Sequence, residues 1–195
     1  MTEYEREALI LACSRAKRRP GEGIWDDGGG KAPAILVYDG PWWKILRKHN
    51  PHVHVYALSG KFGLIPAHAL IPHYDTKMRD TLSARWIDHH LLPHALSLIT
   101  ANYDTVWFCV PQSGGYATAV ELVKAHLHQA IPFRDVAEVL ELPSDENLLI
   151  RNPYFARTRA LSIFCQQRGR NTPMPMGESS EDWQRSMSEG AILGW

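Results

Sequence analysis

The segment that decides the fold is Ala8-Leu9-Ile10-Leu11-Ala12-Cys13, a continuous apolar run followed at once by the polar Ser14-Arg15-Ala16-Lys17. An apolar run of this length is typical of a central strand that is covered on both faces. We therefore predict that residues 8–13 form the first strand of a buried sheet. The polar residues after it then begin a loop at the carboxyl end of that strand.

Three further segments predict strands. His52–Ser59 alternates and is rich in β-branched and aromatic residues, Thr105–Val110 is apolar, and Arg134–Leu142 is a weaker candidate. Helical segments separate these strands, an arrangement that favours right-handed βαβ units. The predicted fold is therefore α/β, a single domain with a mostly parallel central sheet flanked by helices.

The helical segments are Ala32–His49, Thr81–Thr100, Tyr116–His128 and Tyr154–Arg168. The first is predicted to be interrupted at Gly40-Pro41 and to end at Asn50-Pro51, because the residue before a proline is disfavoured in a helix. In the second, Pro93 predicts a kink. Residues 21–30 are glycine-rich and predict a mobile loop.

The composition limits the class of protein. A chain of 195 residues, 45% of them hydrophobic, can bury one core, so we predict an α/β domain over residues 1–170 and a weakly ordered or docking tail over residues 171–195. Lys plus Arg and Asp plus Glu are 21 each, which leaves no net field to attract a polyanion. Three widely spaced cysteines and the absence of long apolar runs predict a cytoplasmic protein with no membrane partner.

Neither a metal nor another cofactor is expected. His52 and His54 would share one face of a strand, and His90 and His94 one face of a helix, but no further ligand is identifiable for either pair. Cys13 is expected to be a buried thiol at the end of a strand, because no sequence feature supplies a base for a cysteine nucleophile.

Polar loops follow each of the three clearest strands. They are Cys13–Lys17, Ser59–Leu64 and Gln112–Tyr116. In a parallel sheet such loops converge at one edge, where ligands bind. Small hydroxyls and glycines there let a ligand approach the backbone, while Lys17 and Lys61 supply positive charge for a phosphate or a developing anion.

Basic residues also suggest a nucleic-acid surface. Arg15, Arg18 and Arg19 follow the first strand, and basic residues interleaved with aromatic ones suit nucleic-acid binding. By contrast, Lys44, Arg47 and Lys48 fall on one helical face, and this group is predicted to be an ordinary solvated surface.

The chain contains, in this order, Leu9–Lys17, Ala32-Pro33-Ala34 with Tyr38, Tyr56–Ile65, and Ile71-Pro72-His73-Tyr74-Asp75. Their order and spacing resemble the YaaA-like family, whose signature is a strand, then Ser/Ala-Lys-Tyr-Gly-Leu, then Tyr-Asp. The resemblance covers about residues 8–130, and the chain departs from it at Phe62, where Tyr is common. It implies a uracil-DNA-glycosylase-like fold in a group associated with DNA binding, damage responses and modified bases.

Carried over residue by residue, the resemblance selects Ser14, Lys17, Tyr38, Ser59, Lys61, Gly63, Tyr74, Asp75, Gly114 and Gly115. Asp75 would stabilise an oxocarbenium-like sugar or position water, and Lys61 or Ser59 would receive the departing base or a phosphate. The predicted substrate-binding residues are Ser14, Lys17, Tyr38, Phe62, Gly63, Tyr74, Gln112, Gly114, Gly115 and Tyr116. Alternatively, Tyr74-Asp75 only caps the segment before Thr81, because Asp is favoured at turns and helix starts.

These features together predict a nucleic-acid-directed N-glycosidase, a DNA glycosylase that excises a modified base in genome protection or anti-phage defence. A first alternative is a non-catalytic DNA- or nucleotide-binding protein of a stress response, which would use the same cleft without cleavage. A second alternative is a nucleoside hydrolase or transferase. The expected partner is nucleic acid, most directly DNA.

Overall fold

A computed structural model describes residues 6–19, 30–76, 78, 83–93, 103–127, 131–140 and 152–169. Its strands are β1 (Glu7–Ala12), β2 (Lys31–Pro33), β3 (His54–Ser59), β4 (Gly63–Pro66), β5 (Leu70–Pro72), β6 (Thr105–Cys109) and β7 (Phe133–Asp135). Five of them form the main sheet, in the order β4-β3-β1-β6-β7, and β2 pairs with β5 in a separate two-stranded sheet. The helices are α1 (Ala34–Val37), α2 (Pro41–His49), α3 (Ala84–Trp86), α4 (Gly114–Leu127) and α5 (Pro153–Gln167).

The main sheet is mostly parallel, as the sequence predicted. Strand β1 pairs in parallel with β3 on one side and with β6 on the other, and β6 pairs in parallel with β7. Residues Ala8–Leu11 of β1 have no exposed surface, which explains why this segment is apolar without alternation. The mixed α/β class with a mostly parallel central sheet is thus confirmed.

The predicted loop after β3 is a tight hairpin. Strand β4 returns antiparallel to β3, with Ser59 opposite Gly63. Gly63 has a φ of +74°, in the left-handed region, and a Cβ at this position would overlap the backbone carbonyl of His90. Two features therefore exclude a side chain at position 63, namely the left-handed backbone conformation and the close approach of the backbone of His90.

Helix α2 begins and ends where the sequence predicted. It starts at Pro41 directly after Gly40 and ends at Asn50, which has a φ of 42° and precedes Pro51. The prediction that Arg47 lies on a solvated face is wrong. Arg47 is 6% exposed and donates hydrogen bonds to the carbonyl oxygens of Ile35 and Tyr38, so it fixes the segment that leads into α2.

The predicted helix over residues 81–100 departs from α geometry before its proline. Helix α3 passes into a π-helical turn at Ile87–Leu91, in which the Leu92 N–H donates to the carbonyl of Ile87. Pro93 has no N–H to donate to the carbonyl four residues earlier, and the π-helical turn lies just before it. Leu92 and Pro93 themselves are α-helical. Residues 94–100 of this prediction lie outside the described residues.

The strand predicted over Arg134–Leu142 is wrong from Val136 to Leu140. Strand β7 ends at Asp135, and a 3₁₀-helix follows at Val136–Val139. The Asp135 carboxylate accepts a hydrogen bond from the Ala137 N–H (2.9 Å), and the Glu138 carboxylate accepts one from the Asp135 N–H (2.9 Å). This capping box ends the strand, because it satisfies the backbone donors locally rather than in the sheet.

The remaining helix predictions agree with α4 and α5 to within two residues over their described parts. Residues 21–29 of the predicted glycine-rich loop, residues 141 and 142, and the whole predicted tail over residues 171–195 lie outside the described residues. None of the helices in the described part of the chain is long and apolar enough to cross a membrane.

Candidate functional site

The carboxyl ends of β1, β3 and β6 meet at one edge of the sheet, because these three strands run in parallel. The loop after β1 stays close to β3, since the Cys13 N–H donates to the carbonyl of Leu58 (2.9 Å). A cleft of about 400 Å³ opens at this edge, and we call it the polar cleft. It is lined by Cys13, Ser14, Arg15, Lys17, Asp75, Thr76, Met78 and Tyr116. Four of the predicted substrate-binding or catalytic residues, Ser14, Lys17, Asp75 and Tyr116, are therefore brought together.

Backbone pairing fixes the position of Lys17. Residue 17 forms a β-bridge with Tyr38, and the flanking hydrogen bonds run from Arg18 N–H to Val37 O (2.9 Å) and from Asp39 N–H to Ala16 O (2.9 Å). The Lys17 side chain is half-buried, and its Nζ lies 4.5 Å from the centroid of the Tyr74 ring. The ammonium group thus has an aromatic face beneath it and the cleft beside it.

Burial lowers the pKa of Lys17 below its usual value of 10.5, while the charges of Cys13 and Asp75 act in the opposite direction. The lowered pKa reflects an ammonium group that has lost part of its hydration shell. A poorly hydrated cation gains more from an incoming anion than a fully solvated one does. Lys17 is consequently the residue in the polar cleft that is best placed to attract a phosphate.

A cluster of buried hydroxyls lies behind the polar cleft. The Tyr74 hydroxyl is 2.6 Å from the Tyr38 hydroxyl and 2.8 Å from Ser59 Oγ, and Ser59 Oγ accepts hydrogen bonds from the N–H groups of Lys61 and Phe62 (3.2 Å each). Tyr38 and Ser59 have no exposed surface. Burial raises the pKa of both tyrosines, so their hydroxyls remain protonated. Tyr38 and Ser59 therefore hold Tyr74 and the hairpin in place from within the core.

Lys61 approaches the same ring that Lys17 contacts. Its Nζ lies 5.7 Å from the centroid of the Tyr74 ring and 5.4 Å from that of Phe62, and the residue is exposed. Phe62 packs edge-on against Tyr74, with ring centroids 5.0 Å apart. The two lysines thus place two positive charges around one aromatic ring, but only Lys17 is among the residues that line the polar cleft.

The prediction that Cys13 is a buried thiol is wrong, because the residue is half-buried and lines the polar cleft. Its Sγ lies 2.9 Å from the hydroxyl of Tyr116, which also donates a hydrogen bond to the carbonyl of Cys13 (3.3 Å). Burial raises the pKa of the Tyr116 hydroxyl. These contacts join the loop after β1 to the first turn of α4 and fix the wall of the cleft between them.

Other predicted site residues occupy different surroundings. Gln112 and Gly114 are exposed, and Gly114 has a φ of +66° at the start of α4, next to the half-buried Gly115. Gly63 faces the backbone of His90, as described above. Arg18 is half-buried with its Nε 3.8 Å from an oxygen of Asp39, and Arg19 is exposed. Of the three predicted nucleic-acid-binding arginines, Arg15 is the one that lines the polar cleft.

Sequence reasoning missed a second cavity beside the polar cleft. This aromatic cavity, of about 600 Å³, is lined by Ala12, Cys13, Ser14, Arg15, Ala16, Gly40, Pro41, Trp42, Trp43, Pro111 and Tyr154. The two cavities share Cys13, Ser14 and Arg15. The pair Trp42-Trp43 is conspicuous in the sequence, but its neighbour Tyr154 is more than a hundred residues away and carries no local signal.

In the described part of the chain, no group of three or more His, Cys, Asp or Glu side chains is arranged to hold a metal ion. Of the histidines considered above, His94 lies outside the described residues. The charged groups of the polar cleft are thus two cations, Arg15 and Lys17, and one carboxylate, Asp75. Two cations and one carboxylate suit an anionic ligand in which one atom becomes positively charged during a reaction.

Comparisons with protein-family models, with curated proteins and with solved structures gave no match to this chain.

Proposed function

We propose that the protein is a nucleic-acid-directed N-glycosidase that excises a modified base from DNA. The observation that carries this proposal is that the carboxylate of Asp75 and the ammonium group of Lys17 line one cleft, together with Ser14, Arg15 and Tyr116. The volume of the cleft, about 400 Å³, lies within the range of sites that bind small molecules or a single nucleotide.

The chemistry needs a negative charge near the sugar. When the bond between C1′ and the base nitrogen breaks, the electron pair leaves with the base and the sugar becomes oxocarbenium-like. The Asp75 carboxylate stabilises that positive charge and accepts a proton from the water whose oxygen attacks C1′. The departing base takes up a proton in turn, so the reaction consumes one water and leaves an abasic sugar and a free base.

The cations hold the substrate. Arg15 and Lys17 bind the phosphates on either side of the extruded nucleotide, and the partial desolvation of Lys17 strengthens this contact. The chain carries no net charge, so attraction for DNA depends on this local pair rather than on a general field. Tyr116, which lines the cleft and is fixed through Cys13, offers a ring on which the extruded base stacks.

A second candidate is binding of the same nucleotide without cleavage, and the exposure of Asp75 favours it. Glycosidic cleavage benefits from excluding water around the carboxylate, since electrostatic stabilisation is stronger in a dry site. In this alternative, Arg15, Lys17 and Tyr116 bind the nucleotide and Asp75 discriminates among ligands by repelling a further phosphate.

An incubation of the purified protein with single- and double-stranded DNA carrying deoxyuridine, deoxyinosine, alkylated and oxidised bases separates the candidates. The N-glycosidase predicts alkali-labile abasic sites and free base from at least one of these DNAs. Binding without any abasic site would leave the non-catalytic candidate. Release of base from free nucleosides, with intact DNA resistant, would instead indicate a nucleoside hydrolase or transferase.

A further inference from the structure

The aromatic cavity takes no part in the reaction proposed above, although it adjoins the polar cleft. Cys13, Ser14 and Arg15 line both cavities, so the two cavities lie side by side and a ligand that contacts Arg15 in one of them is close to the other. The volume of the aromatic cavity, about 600 Å³, is within the range of sites for small molecules.

The cavity presents an aromatic stack whose outer member is open to solvent. The rings of Trp42 and Tyr154 lie almost parallel, with centroids 5.2 Å apart and an angle of 19° between their planes. Trp42 is buried, whereas Tyr154 is 52% exposed. Tyr154 is thus the member of the pair that a ligand can reach, and an aromatic ring placed on it would extend the stack.

The indoles are held in fixed positions before any ligand binds. Trp42 Nε1 donates to Thr158 Oγ1 (2.9 Å), and Trp43 Nε1 donates to the carbonyl of Ala12 (2.9 Å). These donors are already satisfied and both indoles are buried, so the indoles support the ring of Tyr154 and offer a ligand no free hydrogen-bond donor. Recognition here depends on stacking, which every nucleobase can provide.

We propose that the aromatic cavity is a second nucleotide subsite, in which the base adjacent to the extruded one stacks on the pair of Trp42 and Tyr154. Arg15, which lines both cavities, contacts the phosphate that joins the two nucleotides. The subsite accepts any base, because it binds an aromatic ring by stacking and does not recognise a pattern of hydrogen-bond donors and acceptors. This inference rests on the proposed function and adds to it a preference for a strand over a single nucleotide.

The test measures binding of short single-stranded oligonucleotides by fluorescence anisotropy. The full chain carries Asp75→Asn so that the substrate stays intact, and the oligonucleotide is a heptamer with the excised base, found as above, at its centre. In matched heptamers, one neighbour of that base is replaced by an abasic tetrahydrofuran residue. This replacement removes the ring of one base and keeps every phosphate, so it separates the contribution of stacking to the affinity from that of the phosphate charge.

Three further substitutions test the ring on the protein side. Tyr154→Leu removes the exposed ring, Tyr154→Phe keeps it, and Phe155→Leu alters a similarly exposed aromatic residue on the same helix. We expect Tyr154→Leu to weaken binding of the complete heptamer by about 5- to 150-fold, the range for losing one base-stacking aromatic. Tyr154→Phe and Phe155→Leu should bind like the parent protein.

The proposal requires that loss of the neighbouring base and loss of the Tyr154 ring weaken binding through the same contact. An abasic neighbour on one side of the central base should weaken binding to the parent protein about as much as Tyr154→Leu does, and should then have no further effect in that variant. Equal affinity of Tyr154→Leu and its parent for the complete heptamer would overturn the subsite and leave the glycosidase proposal standing. If the parent binds no heptamer at all, the subsite proposal falls, while release of the base from DNA still supports the glycosidase.

Discussion

Replacing Tyr74 with phenylalanine should destabilise the protein without impairing the polar cleft. The substitution removes one hydroxyl, which hydrogen-bonds to the Tyr38 hydroxyl at 2.6 Å and to Ser59 Oγ at 2.8 Å within the core. Each such bond contributes about 1 kcal/mol, and leaving a buried partner unsatisfied adds to the loss. We therefore expect the free energy of unfolding to fall by about 2–3 kcal/mol.

The aromatic face beneath Lys17 survives this change. Lys17 Nζ lies 4.5 Å from the centroid of the Tyr74 ring, and phenylalanine keeps that ring. Affinity for an oligonucleotide should therefore change by less than about twofold, which is under 0.5 kcal/mol. Tyr74→Leu, which removes the ring as well, should lower both stability and affinity.

Equilibrium unfolding in urea, followed by circular dichroism, measures the effect, and the slope of free energy against urea should stay constant. For a chain of this length the expected loss corresponds to a drop in Tm of about 4–12 °C. Tyr154→Phe is the matched control, because it removes a tyrosine hydroxyl from an exposed side chain. If Tyr74→Phe unfolded like the control, the hydroxyl cluster would not hold the hairpin, and our explanation of Ser59 and Tyr38 would be wrong.

Three further changes follow from the same geometry. Gly63→Ala should lower the free energy of unfolding by about 2–4 kcal/mol in a urea titration, because it combines left-handed strain with overlap onto the His90 carbonyl; wild-type stability would contradict this. Gly40 has an ordinary φ of −72°, but the Cβ added in Gly40→Ala would displace Ser14. Fluorescence anisotropy should therefore show weaker oligonucleotide binding, while the free energy of unfolding stays within about 1 kcal/mol of the wild-type value. Oligonucleotide binding should also weaken as the pH rises through the pKa of Lys17, which burial lowers below 10.5, because an anion favours the protonated ammonium group. Lys17→Met should bind less tightly and should not show this pH-dependent decrease. If the variant and the wild-type protein had the same pH profile of binding, Lys17 would not be the residue that binds the anion.

The central sheet was predictable because its signals are local. The apolar run at Ala8–Leu11 and the alternation in His52–Ser59 predict strands, and helical segments between strands predict parallel pairing. Strands β2 and β5 were missed because each has three residues and is completed by a partner about forty residues away. The 3₁₀-helix after Asp135 was missed because a capping side chain overrode the strand propensity of its valines.

The candidate site likewise has parts that the sequence predicts and parts that it does not. Ser14, Lys17 and Tyr116 could be assembled from the sequence, because loops after parallel strands meet at one edge. Asp75 follows β5 of the separate two-stranded sheet, and only the resemblance selected it. The burial of Ser59 could not be predicted, since it depends on contact with Tyr74, which follows β5 and lies outside the hairpin.

The aromatic cavity also depends on packing that no pattern shows. Trp42 and Tyr154 belong to α2 and α5, which contact each other in the folded chain but are far apart in sequence. Likewise, the burial of Arg47 depends on backbone carbonyls that α2 meets only after folding.

The most direct test of the proposed reaction is the single-turnover rate of base release from the responsive DNA, measured for the wild-type protein and for Asp75→Asn. Loss of a group that stabilises charge in the transition state costs about 100-fold or more, so we predict at least that decrease with oligonucleotide affinity unchanged within about threefold. Asp88→Asn, which changes an exposed carboxylate on the π-helical turn, should release base at the wild-type rate. Equal rates for the wild-type protein and Asp75→Asn would contradict the assignment of Asp75 and the reaction proposed for the cleft.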